Sequence, residues 1–201
     1  MWDVSSVTDM SQLYLNAVSF NCDISKWDVW SVKSMVAMFA GAKLFNSDIS
    51  SWEVCEVQTM HGMFGGAKSF NSDISKWDVS RVTSMYGMFW GATSFNSDIS
   101  KWDVSSVSSM YAMFMDASSF NIDISEWDVS NVVTMDYMFW YWEATSFKHK
   151  LCGAAWVRSK ANKKSMFAGS FGSISLLVCT LTTTHQYASC LLYTSPSPRD
   201  S

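Results

Sequence analysis

The sequence predicts an α/β repeat solenoid in which each 25-residue unit contributes one short parallel strand and one short helix. Tryptophans at Trp2, Trp27, Trp52, Trp77, Trp102 and Trp127 are spaced by 25 without a slip. Valines (Val4 to Val129) and methionines (Met10, Met35, Met60, Met85, Met110, Met135) keep the same interval. The stretch FNSDISKWDV occurs identically at Phe70 to Val79 and at Phe95 to Val104. Self-similarity at such a period marks a repeat architecture, in which no unit buries its own apolar residues and neighbours must stack to share a core.

Two apolar periods coexist in each unit. From Ile49 through Trp52 to Val54, Trp and Val alternate around Glu53 as a strand requires. From Val57 through Met60 to Met63 and Phe64 the apolar steps are three and four, as on one face of a short helix, with Gly41, Gly66 and Gly91 placed where helices would end. The expected core is therefore Trp27, Trp52, Trp77, Trp102 and Trp127 with Met60, Met85 and Met110, each column packing on its own copy about 4.8 Å away. Equal spacing in every unit favours this over a cofactor box or an aromatic cage.

The I-x-x-W-x-V spacing resembles the L-x-x-L-x-L segment of leucine-rich repeats. The whole unit, with its FNxDISxWDVSxVxxMxxMF core, is similar to the BspA-like leucine-rich repeat surface proteins, whose repeat is also catalogued as a domain of unknown function. The resemblance covers residues 1 to about 147. It implies a cell-surface or secreted protein used for adhesion or protein contact, and supplies no catalytic residues.

The chain divides by charge and pattern. Residues 1–147 carry 7 Lys/Arg and 17 Asp/Glu, a balance of −10, whereas 148–201 carry 7 and 1, a balance of +6. In the sixth unit the pattern breaks at FWYWEATSFKHKL, so 1–147 reads as a six-unit solenoid, a piece of a longer array. Residues 148–189 are expected to be irregular: an atypical terminal cap or a non-native tail would both look this way. The closing CLLYTSPSPRDS, 190–201, reads back into codons as a translated sequencing adapter. The five cysteines show no CxxC spacing and are read as incidental, and no stretch of about 18 apolar residues could span a bilayer.

These features exclude more functions than they select. The acidic array lacks the basic groove that nucleic acid requires. The three histidines lie in unrelated contexts and the serines follow the repeat as turn and cap residues, so no enzyme, cofactor or metal site is expected. A protein or glycan ligand is the expected partner. It would lie on the outward ribbon of the strand face: Lys26, Asp28, Glu53, Lys76, Asp78, Lys101, Asp103, Glu126 and Asp128. The alternatives are a passive spacer, or the repeat part of a larger enzyme. Like charges at rung spacing repel by about 1 kcal/mol per pair in water. Turn hydrogen bonds, Lys–Asp pairs two residues apart, and bound calcium are the available offsets, in that order of weight.

Overall fold

The computed structural model describes residues 3–142 and 146–179; Trp2, 180–189 and the adapter-like 190–201 lie outside the described residues. Parallel bridges link Asp9 to Ser34, Ser34 to Thr59, Thr59 to Ser84, Ser84 to Ser109 and Ser109 to Thr134, every step being 25 residues. Each sequence unit is thus one rung, lying in register on the next.

The expected strand and helix do not form within these rungs. Regular elements among the described residues are β1 (Lys150–Leu151), α1 (Ala154–Arg158) and β2 (Ser173–Ile174), with β1 parallel to β2. The reason lies in where the backbone donors go. Over Met60 to Gly66 alternate N–H groups leave the rung: Met60 donates to Ser84 O (3.1 Å), Gly62 to Tyr86 O (2.8 Å) and Phe64 to Met88 O (2.9 Å). The intervening N–H groups close tight turns, Met63 onto Met60 O (3.1 Å) and Gly65 onto Gly62 O (2.9 Å). A helix would need those same donors for its i→i−4 bonds. In the first five rungs residues at two points take positive φ, as at Gly62 (60°) and Gly66 (68°), which a right-handed helix cannot include. Apolar steps of three and four here come from successive turns. Likewise, around the tryptophans the donors are spent locally, Trp52 N–H on Ile49 O (3.1 Å) and Val57 N–H on Val54 O (2.9 Å), so the Trp-x-Val alternation belongs to turns as well.

Columns of like residues fill the core, as the periodicity requires. Trp52, Trp77, Trp102 and Trp127 are buried, as are Met60, Met85 and Met110, while Trp27 is half-buried. Neighbouring indoles lie parallel, with centroids 6.5 Å apart for Trp27–Trp52 and 6.4 Å for Trp52–Trp77. Each indole N–H also donates across the rungs, Trp52 to Ile24 O, Trp77 to Ile49 O, Trp102 to Ile74 O and Trp127 to Ile99 O, at 3.0–3.1 Å. Burial of tryptophan therefore leaves no orphan donor. Two phenylalanine columns interleave beside them, Phe39 on Phe45 at 3.9 Å and Phe64 on Phe70 at 3.8 Å.

Of the stretch expected to be irregular, the described part, 148–179, is ordered as a further rung and the start of another, since β2 stacks on β1. Thr134 bridges to Asn162, Met135 N–H donates to Asn162 O (2.8 Å) and Phe139 N–H to Met166 O (2.8 Å). Trp156 extends the tryptophan column with its indole N–H on Ile124 O (2.9 Å), and Phe147, Leu151 and Met166 are buried beside it. The spacing between Trp127 and Trp156 is 29, and Trp156 sits in the middle of α1. Cys152 and Cys179, read as incidental, form a disulfide with Cα atoms 5.2 Å apart. Roughly one rung separates them along the chain, and in a stack that makes them neighbours.

Candidate functional site

The proposed ribbon follows directly from the rung register. Position by position, the residues immediately before and after the tryptophan column project outward on successive rungs: Lys26 and Asp28, Ser51 and Glu53, Lys76 and Asp78, Lys101 and Asp103, Glu126 and Asp128. Lys26, Asp28, Glu53, Lys76, Lys101 and Asp128 are exposed; Asp78, Asp103 and Glu126 are half-buried. Since no strand forms there, the ribbon is a row of turn residues rather than a strand face.

Hydrogen bonds show how the acidic column is held. Asp28 accepts from Trp30 N–H (3.1 Å), Asp78 from Ser80 N–H (3.0 Å), Asp103 from Ser105 N–H (3.0 Å) and Asp128 from Ser130 N–H (3.0 Å). One oxygen of each carboxylate is thereby fixed by its own turn. A second aspartate column, Asp23, Asp48, Asp73, Asp98 and Asp123, is held in the same way: Ser25, Ser50, Ser75, Ser100 and Ser125 N–H donate to the aspartate two residues earlier at 2.9–3.0 Å. Next to that column runs an asparagine ladder, in which Asn46, Asn71, Asn96 and Asn121 N–H each donate to the side-chain oxygen of the asparagine one rung before, at 2.7–2.8 Å.

Charges also pair between rungs. Lys101 reaches Glu126 at 2.9 Å and Arg81 pairs with Glu56, each partner lying 25 residues away. Among the described residues no group of three or more His, Cys, Asp or Glu is arranged to hold a metal ion.

The turn bonds have a pH consequence. Asp23 is held below the ordinary 3.8 by the Ser25 hydroxyl and then its N–H, and Asp48 and Asp73 by the N–H and then the hydroxyl of Ser50 and Ser75. For Asp48 the charges of Asp23 and Asp73 push the other way, the inter-rung repulsion expected from the column. A carboxyl with a depressed folded pKa stabilises the fold above its unfolded pKa and loses that contribution as pH falls through the folded value. Thermal unfolding followed by circular dichroism should therefore show Tm falling as pH drops below about 4. An unchanged Tm down to about pH 2 would mean that the turn bonds do not favour the ionised carboxylates.

A second feature escaped the sequence reading. His61, Tyr86, Tyr111 and Tyr137 form a surface row of rings, with centroid separations of 4.4, 4.8 and 5.6 Å, and Lys164 lies 5.8 Å from the Tyr137 ring centre. The signal was present, since His61, Tyr86 and Tyr111 are themselves 25 apart. Nearby, Trp90 is 53% exposed, which settles it as a surface side chain, while Trp140 is half-buried and meets the 83% exposed Trp142 edge-on.

One family matches the chain twice, over residues 1–89 and 71–174; its description is "Mycoplasma protein of unknown function, DUF285". The chain belongs to this family. The second DUF285 match runs through the rung that carries Trp156 and Met166. No curated protein and no solved structure gives a match. No helix among the described residues is long and apolar enough to cross a membrane.

Proposed function

We propose that the protein is a non-catalytic repeat solenoid of the BspA-like kind, acting at the cell surface or outside the cell in adhesion or in recognition of a protein or glycan. The observation that carries this reading is the constant register. It sets the pairs from Lys26/Asp28 to Glu126/Asp128 on a common frame, one rung apart, so that a ligand can lie across several of them. The Cys152–Cys179 disulfide supports an oxidising, extracytoplasmic setting.

A passive spacer is the rival reading, and a specific observation favours it. The carboxylates of Asp28, Asp78, Asp103 and Asp128 are all engaged by their own turns, which alone would account for acidic residues at those positions. The two readings separate on a variant carrying Lys76→Ala, Lys101→Ala, Asp78→Asn and Asp103→Asn. Asparagine keeps the turn-capping oxygen and removes the charge. Screened against a glycan array and a panel of immobilised secreted proteins, any ligand of the unaltered protein should bind the variant at least tenfold more weakly, with Tm little changed. Undiminished binding would move the site away from the ribbon; no binding by either protein would favour the spacer.

A further inference from the structure

Residues 146–179 carry six cations and no acidic residue, on the end of an array, 3–142, that carries 7 Lys/Arg and 16 Asp/Glu. At the junction an opening of about 370 Å³ is lined by Ser130, Val132, Ala154, Ala155, Arg158, Ser159 and Lys160. It forms alongside α1, where the spacing of the tryptophan column lengthens from 25 to 29 residues. Arg158 and Lys160 are both exposed, and neither makes an ion pair among the described residues. The backbone on either side of Lys160 is tied down: the half-buried Lys163 ammonium donates to Ser159 O (2.8 Å) and Ala161 O (3.0 Å). Ser159 Oγ accepts from Ala161 N–H (3.2 Å), which leaves its hydroxyl proton able to donate. Asp128, two residues before Ser130, has one oxygen occupied by the Ser130 N–H.

We propose that this cleft binds a saccharide bearing a sulfate or phosphate ester. A guanidinium fork, an ammonium and two hydroxyls, with no carboxylate in the lining, form a donor set for a tetrahedral oxyanion. The volume falls in the range that holds a small organic ligand rather than a bare ion, and Val132, Ala154 and Ala155 offer an apolar wall for the C–H face of a sugar. A nucleic acid strand fits less well, because its phosphates would run on from one basic rung onto the acidic array. The cleft shares no residue with the ribbon, so the two sites succeed or fail on separate variants.

The test titrates the full chain with glucosamine 6-sulfate, glucosamine 6-phosphate, unmodified glucosamine, inorganic phosphate and a single-stranded oligonucleotide, following amide shifts of Ala154, Ala155 and Ser159. At least one esterified sugar should bind ten times or more tighter than glucosamine and inorganic phosphate, and the tighter ester names the source. Arg158→Ala with Lys160→Ala should weaken it at least tenfold, Arg158→Gln should weaken it in the same direction, and Lys26→Ala with Lys76→Ala should leave it unchanged. Equal affinity for inorganic phosphate, tighter binding of the oligonucleotide, or equal loss in the Lys26/Lys76 variant would each overturn the assignment.

Discussion

Replacing Trp77 by alanine should destabilise the protein by about 3–5 kcal/mol, the largest effect expected of a single substitution here. Trp77 is only 4% exposed, lies 6.4 Å from the parallel ring of Trp52 and meets Phe64 at 6.2 Å. Its removal opens a cavity in mid-stack, where the rungs on either side are held in register by backbone bonds and cannot close the gap. The polar part of the loss is smaller. Ile49 O, which accepts the Trp77 indole N–H, also accepts Trp52 N–H and so keeps a partner. Trp77→Phe, which removes the indole donor but fills much of the space, should therefore cost clearly less than Trp77→Ala, about 1–2 kcal/mol. Denaturant unfolding of both variants checks this. A cost below about 1 kcal/mol for Trp77→Ala would show that the column does not bear the stability assigned to it.

Loss of the Cys152–Cys179 bridge should have the second largest effect. The two cysteines are 27 residues apart, and closing a loop of that order constrains the unfolded chain by about 3 kcal/mol. Because each rung of a stack contacts mainly its neighbours, the loss should concentrate at the last rungs. Cys152→Ser should speed amide exchange around Leu151 and Trp156 while leaving amides near Met60 and Met85 protected. Uniform loosening along the whole array would contradict that nearest-neighbour picture.

The register was legible from Trp27, Trp52, Trp77, Trp102 and Trp127 alone, because a column of large side chains tolerates only one alignment. Local geometry was less legible. Steps of three and four between Val57, Met60, Met63 and Phe64 suit a helix and a string of tight turns equally well, and the deciding feature, positive φ at Gly62 and Gly66, shows in the sequence only as two glycines. Sister rungs obscure even that, placing Ala37, Ala112 and Tyr137 in the same conformation. The rung beyond residue 147 was missed because its tryptophan falls 29 residues after Trp127, although Met166-Phe167-Ala168-Gly169 repeats Met38-Phe39-Ala40-Gly41 letter for letter.

Of the candidate site, the ribbon positions and their outward direction followed from the repeat. Turn hydrogen bonds were the offset the sequence favoured for the aspartates, and both columns make them; that the N–H two residues on donates in every case was not legible, since it depends on the turn the backbone makes. The disulfide escaped because linear spacing rules look for cysteines close in sequence. In a stack, proximity is set by the rung length.

The central claim is that 25 residues of chain advance the stack by a single rung. Distance measurement between spin labels at Asp28→Cys and Asp128→Cys, with the exposed Cys22 replaced by serine, tests it most directly. These positions lie four rungs apart, so a narrow distribution centred at about 20 Å is expected from a rise of about 4.8 Å per rung. A broad distribution, or one centred beyond about 30 Å, would mean that the units are not stacked in this register.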